Sequence, residues 1–490
     1  MLPIGLLLAI STPAQPQSEP RPNIIYILAD DLGYGELGSY GQKIIQTPNL
    51  DQLAAEGIRF TQHYSGSPVC APTRSTILEG KSTRTNWVRE NREFGDFTAD
   101  GIEGQDPLPE NTYTIGRALQ QIGYKTACIG KWGLGGPGSS GEPNKHGFDY
   151  FFGYLCQRQA HNFYPTHLWQ NTRKYPLDNP KFNAHQAFPK TLDPTKPSNY
   201  DRYKGNEYSN DVMRDKALWF IEENQNRPFF LYLPFTIPHV ALQVPDDALA
   251  QYDGVFKESP YLGGQGYLPH IRPQSAYAAM ITRLDTYVGQ IIETLKEHGL
   301  DRNTLVMFSS DNGPTWVSGI NPEDFNSTAG LRGRKAQLWE GGIRVPMIAW
   351  WPDKIKPQQV TSHVSAQWDI FATVAEITGA RAPRDTEGVS FLPTLLGSKR
   401  QTKHRFLYWE FAAQGHGQAV RMGDWKGIRF NRKGHESEGH LFLYNLRVDP
   451  TEKNDVSSAN PQVVKQIEAI MATRIPAHWP AWNWEDRSLP

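Results

Sequence analysis

Short apolar runs alternate along most of the chain with longer stretches whose apolar positions recur at helical spacing. Residues 23–29 (NIIYILA) form an apolar run that ends in Asp30-Asp31, the pattern of a buried strand with acids at its C-terminal tip. Residues 47–57 (TPNLDQLAAEG) begin with Thr-Pro and end with Gly, which predicts a helix. Residues 112–123 read the same way, and 124–130 follow as a strand. An amphipathic helix over 210–224 precedes an apolar strand over 228–234. Residues 275–299 place Tyr277, Met280, Ile281, Leu284, Val288, Ile291 and Leu295 on one helical face, and 303–309 form another strand, shortly before Asp311.

Repeated strand–helix–strand units with apolar strands predict an α/β fold, a large and mostly parallel central sheet sandwiched by helices. In such sheets functional groups collect beyond the carboxyl ends of the strands. Asp30, Asp31, Lys131, His239 and Asp311 all follow predicted strands, so residues distant in sequence are expected at one sheet edge. Residues 155–205 are rich in Gln, Asn, Pro, His and aromatics and weak in periodicity. They read either as an ordered, loop-rich insertion over that edge or as a plain surface excursion. Beyond about residue 400, short strand-like runs at 406–409, 418–421, 425–430 and 440–444 precede a helix over 461–474. The organisation expected is a leader or disordered segment over 1–20, a catalytic domain over 21–400 and a C-terminal subdomain over 401–490, built as a small antiparallel sheet with one helix.

The net charge of −1 leaves no global field to attract nucleic acid or an anionic membrane, so an anionic substrate needs local positive charge. No segment approaches the ~20 apolar residues of a membrane span. The N-terminal apolar run over 3–10, with small residues to Ala14, is similar to the latter part of a secretory leader. It lacks a basic start, and a disordered tail is the other reading. The expected location is secreted or periplasmic. Cys70, Cys128 and Cys156 are too few for a disulfide framework, and the last two suit buried small hydrophobes.

Cys70 has a different setting. Residues 67–80 read SPVCAPTRSTILEG, and Cys70-Ala71-Pro72-Thr73-Arg74 resembles the C-x-P-x-R signature of type I sulfatases, of alkaline phosphatase-like fold. The resemblance implies oxidation of Cys70 to formylglycine by a formylglycine-generating or anaerobic sulfatase-maturating enzyme. It also implies a hydrated aldehyde as nucleophile, able to release sulfate by collapsing back to the aldehyde. Pro72 suits the first position of a helix, which puts residue 70 at an anion-stabilising N-terminus with Arg74 one turn on.

Asp30 and Asp31 in ADDLGYGELGSYG, with Asp311 and Asn312 in SSDNG, resemble the metal-binding motifs of the same family. Four oxygen side chains favour one hard cation, calcium, with magnesium the alternative; residue 70 is implied as a further ligand. Lys131 in IGKWGLG, His239 in LPFTIPHVAL and Lys335 in LRGRKAQLWEGGIRVP match the family's sulfate-contacting positions. The lysines would neutralise sulfate oxygens and His239 would protonate the leaving oxygen. The resemblance runs from about residue 22 to 450, including LYNLRVDPTEKND near its end.

One position departs from the family pattern. Gly133 stands where a histidine is common, and His161 in QRQAHNFYP is the candidate replacement base or a contact to a substrate hydroxyl. The expected activity is sulfate-ester hydrolysis on a sulfated sugar, with Trp169, Tyr164 and Trp316 as candidate pocket residues. A phosphonate or phosphodiester hydrolase of the same superfamily, or a non-catalytic binder of sulfated glycans, are the other readings. Two-metal phosphatases need more His and Asp ligands than these motifs supply.

Overall fold

The computed structural model describes residues 21–95, 103–413, 417–430 and 439–483. The expected leader over 1–20 lies outside the described residues. The large sheet contains β1 (Asn23–Ala29), β2 (Ile58–Tyr64), β3 (Lys125–Lys131), β4 (Tyr150–Tyr154), β5 (His167–Gln170), β6 (Arg173–Pro176), β7 (Phe229–Pro234), β8 (Thr304–Ser310), β9 (Arg344–Trp350) and β10 (Gln359–Thr361). Their order is β10-β2-β9-β8-β1-β7-β3-β4-β5-β6, and Ser365–Ala366 adds an eleventh strand beside β2. The centre, β8-β1-β7-β3-β4, is parallel throughout.

Strand pleat explains why these runs are apolar at every position. Along β1, Ile25 and Ile27 point into one core, while Ile24, Tyr26 and Leu28 point into the other. The first core is closed by α1 (Pro48–Glu56), α4 (Ser209–Glu223) and α5 (Pro273–Glu297), through Leu50, Met213, Phe220, Ile281, Leu284 and Ile291. The second is closed by α2 (Cys70–Glu79), α3 (Ile115–Gln121) and α6 (Asp369–Thr378), through Leu78, Leu119, Phe371 and Val374. Among the described residues no helix is long and apolar enough to cross a membrane.

Residues 155–205 were expected to be loops, but the hairpin β5–β6 extends the sheet antiparallel to β4. Its strands carry no apolar run, because β6 is the sheet's edge and is charged, exposed and ended by Pro176, which blunts further pairing. Strand β9 was also hidden. It contains Pro346, a residue that argues against an interior strand, and the ladder shifts register between Val345 and Met347 to accommodate it. Helix α2 starts at Cys70, so Pro72 is the third helical residue and not the first. Proline is tolerated there because first-turn N–H groups have no helical partner.

A second sheet, β11 (Leu407–Phe411), β12 (Gly417–Met422), β13 (Trp425–Phe430) and β14 (Leu441–Asn445), is antiparallel in sequence order. Tyr408, Val420 and Leu443 face α7 (Pro461–Met471), while Leu407, Trp409 and Ile428 pack on Tyr64, Leu338, Ile343 and Trp368. At this junction Lys426 Nζ lies 2.9 Å from Glu340 Oε1 and 2.8 Å from Glu452 Oε1, all three side chains fully buried. Glu452 Oε2 accepts from the Glu340 N–H at 2.7 Å, and Arg332 donates to the Glu452 carbonyl at 2.7 Å. The loop over residues 332–340 is thereby held from both ends. Replacing Lys426 by Met removes the cation that two buried carboxylates share. We expect a loss of about 3–5 kcal/mol, read as a lower urea midpoint.

Candidate active site

Chain direction decides which residues meet. Strands β1, β3, β7 and β8 are parallel, so Asp30-Asp31, Lys131, His239 and Asp311-Asn312 all emerge at one edge. Strand β9 is antiparallel to both β8 and β2. Cys70, after β2, and Lys335, before β9, therefore reach the same edge from opposite chain directions.

The side chains interlock there. Asp30 Oδ2 accepts from Lys131 Nζ at 2.6 Å and from Arg74 at 3.3 Å, and Asp30 Oδ1 accepts from Cys70 Sγ at 3.3 Å. Arg74 also donates to Asp311 Oδ2 at 2.9 Å and to the Lys131 carbonyl at 2.5 Å. Asp31 has a left-handed backbone, φ 68°, uncommon outside glycine but tolerated by Asp. It is fixed on three sides: its N–H donates to Asp311 Oδ1 at 3.0 Å, Oδ1 accepts from Asn312 at 2.8 Å and Oδ2 from Lys335 Nζ at 2.7 Å.

Burial penalises all of these charges, and neighbours decide the outcome. Against burial, Lys131, His239, Arg74 and Lys335 hold the Asp30 carboxyl well below the carboxylate range. Burial and then the charge of Asp30 push Asp311 up to about 7. Burial and then Asp30 push the Cys70 thiol well above its ordinary range. Cys70 is therefore a neutral thiol, poor both as nucleophile and as metal ligand in that form.

Whether these residues fit a cation is answered by Asn312. Its Nδ2 donates to Asp31 Oδ1 and to the Gly313 carbonyl at 2.9 Å, which fixes the amide orientation. The opposite atom, Oδ1, is buried with no hydrogen-bond partner. An unsatisfied acceptor beside three carboxylates is what a hard divalent ion would complete. Asp30, Asp31, Cys70 and His239 also offer ligand atoms within 4.8 Å of one another. With all three acids ionised they balance Arg74, Lys131 and Lys335 in charge, so a divalent ion would leave the pocket net positive and suited to an anion.

His239 adjoins this cluster, with Nε2 3.7 Å from Asp31 Oδ2 and Nδ1 against the Val240 carbonyl. Burial and then Lys335 lower its pKa to about 4, so its resting imidazole is neutral, and only added negative charge nearby favours the protonated donor expected above. His161 stacks on it, with ring centroids 4.9 Å apart and planes 10° apart. Trp169 donates to Glu103 at 2.9 Å in the cleft beyond His185, and Trp316 lies under the Arg334 guanidinium at 4.4 Å, beside Lys335. Tyr164 does not join them. It lines a separate cavity of about 420 Å³ with Tyr200, Lys204 and Arg272.

The space beside Gly133 is taken by Gln157. A Cβ on Gly133 would stand 2.8 Å from Gln157 Cγ, and its φ of 75° disfavours any larger residue. Gln157 Nε2 donates to Asn91 Oδ1 at 3.0 Å, and that oxygen also accepts from the Ala71 N–H at 2.9 Å, next to Cys70. Sequence reasoning missed Gln157 and Asn91, since neither lies in a motif and only the fold joins them. Gly133→His should therefore lower the melting temperature and fail to raise turnover; a variant as stable as the parent and faster would contradict this packing argument.

Residues 22–380 match the Sulfatase family, and residues 334–477 match the C-terminal region described for N-sulphoglucosamine sulphohydrolase. The chain is 30% identical to N-acetylgalactosamine-6-sulfatase of Canis lupus familiaris, over 92% of this chain and 84% of that protein. It is 29% identical to N-acetylgalactosamine-6-O-sulfatase of Bacteroides thetaiotaomicron, over 93% of each. The crystal structure of Ps i-CgsB in complex with k-i-k-neocarrahexaose superposes with a TM-score of 0.75 at 26% identity, covering 96% of this chain and 94% of the other. With an alkaline phosphatase-like sheet, matched sequence along nearly its whole length and buried acids facing buried bases at one strand edge, this chain belongs to the sulfatase family.

Proposed function

We propose that the protein hydrolyses sulfate esters of carbohydrates, using Cys70 converted to formylglycine and one calcium or magnesium ion. The observation that carries this reading is the buried charge cluster with the orphaned Asn312 Oδ1 in it. Asp30, Asp31, Asp311 and Asn312 would hold the ion, with residue 70 as a further ligand once converted. When bound, the ion supplies polarisation of a sulfate oxygen and acidifies the hydroxyl donated by residue 70. Sulfated sugars are supported by the names of the relatives, two of which are N-acetylgalactosamine 6-sulfatases and one of which is in complex with k-i-k-neocarrahexaose.

The chain's own residues account for the rest. Cys70 occupies the N-terminus of α2, where backbone N–H groups favour negative charge. Lys131 and Lys335 neutralise sulfate oxygens as charge develops on the leaving group. Arg74 orients Asp30 and Asp311 and touches the Lys131 carbonyl, so it positions three groups at once. His239, brought toward its protonated form by a bound anion, donates to the leaving oxygen.

The assay compares p-nitrophenyl sulfate and sulfated monosaccharides with phosphate mono- and diesters, and mass spectrometry reads the state of Cys70. Turnover of the sulfates above the phosphates, with Cys70 recovered as aldehyde, is expected. Protein whose Cys70 stays wholly a thiol in its native host would favour a glycan binder. Lys131→Ala should lower kcat by about 100- to 1,000-fold. Calcium at 100 times its Kd should stabilise the wild type by about 2.7 kcal/mol and Asp311→Ala by much less, read as thermal shifts with and without chelator.

A further inference from the structure

We infer that His161 is a hydrogen-bond acceptor for a sugar hydroxyl next to the sulfate ester, and that His185 and the Gly266 carbonyl set its tautomer. The inference rests on the sulfate-ester reading above and adds a feature of the substrate, a free hydroxyl beside the reacting group.

The direction of each hydrogen bond follows from the last acceptor in the chain. A backbone carbonyl only accepts, so His185 Nδ1, 2.5 Å from the Gly266 oxygen, carries the proton. In the neutral ring His185 Nε2 then holds a lone pair. His161 Nδ1 lies 3.2 Å from it and must donate. His161 Nε2 is left as an acceptor, and among the described residues no protein donor meets it. The neutral forms are favoured here: burial and then His239 hold His161 well below its ordinary range, and burial lowers His185.

Placement gives that lone pair a use. His161 lies face to face with His239, the residue nearest the leaving oxygen in the proposed reaction, and Tyr267 packs edge-on against both rings. A group within reach of His161 is therefore a short distance from the ester oxygen. The site's cations, Lys131, Lys335 and Arg74, are committed to acids and sulfate. A neutral lone pair beside them binds a hydroxyl proton and repels a second sulfate. Beyond His185 lies a narrow cleft lined by Arg158, Trp169 and Glu103, whose carboxylate is held by His167 at 2.8 Å.

The contacts of the His161 ring are to His185, His239 and Tyr267, which favours a role beside the leaving group over that of a base acting on residue 70. The test pairs each enzyme with a sulfated monosaccharide it cleaves and with deoxy analogues lacking one hydroxyl adjacent to the sulfate. Wild-type protein should lose about tenfold in kcat/KM on one deoxy analogue, the scale of one hydrogen bond. His161→Ala should turn over sugar and analogue equally, and His161→Gln, which keeps an acceptor and serves if the alanine variant unfolds, should recover part of the preference. His185→Phe should weaken the preference without abolishing turnover, since it removes only the tautomer lock. Equal losses by His161→Ala on the sugar sulfate and on p-nitrophenyl sulfate, with the deoxy preference intact, would overturn the inference alone. Wild-type protein with converted Cys70 that cleaves no sulfate ester overturns the proposed function and this inference with it.

Discussion

Everything at the strand edge depends on the mutual neutralisation of Asp30, Asp31 and Asp311 by Arg74, Lys131 and Lys335. Five of these six side chains are almost wholly out of water, where an isolated charge costs several kcal/mol and a paired one is tolerated. The pairing is not a set of independent bridges. Asp30 is shared by Lys131 and Arg74, and Arg74 by Asp30 and Asp311, so moving any one group uncovers another. That interdependence explains why the backbone accepts a left-handed conformation at Asp31: the surrounding bonds over-determine its position.

The C-terminal sheet takes part in this arrangement at one remove. Lys335 belongs to the loop that Glu452 and Lys426 fasten through Glu340, and Tyr64 adds a 2.7 Å hydrogen bond to the same carboxylate. Lys335 thus owes its position to Lys426 and Glu452, 91 and 117 places further along the chain. Among the described residues the small sheet supplies no group to the charge cluster, yet it sets the anchor for one of that cluster's three cations.

The parts legible in the sequence were those with a local signature. The apolar run before Asp30 and the helical stripe from Tyr277 to Leu295 appear as β1 and α5 with shifts of no more than two residues, because burial on both faces or on one stripe demands those patterns. The edge hairpin β5–β6 and the proline-containing β9 were not legible, since an edge strand needs no apolar run and Pro346 argues against a strand. The site divides similarly. Acids and bases inside motifs could be named from sequence, and parallel topology explains why they meet. Gln157, Asn91, His185 and Tyr267 could not, because their roles come from packing across loops.

The burial of Cys70 sets an order of events. Only 1% of the residue is accessible, every residue of its helix is buried, and the C-terminal sheet packs on Tyr64 and Val69 just before it. Another protein's catalytic cleft cannot reach a side chain in that position. If Cys70 is converted as proposed, the conversion would have to precede folding, and a molecule folded with its thiol intact would be beyond repair without being taken apart.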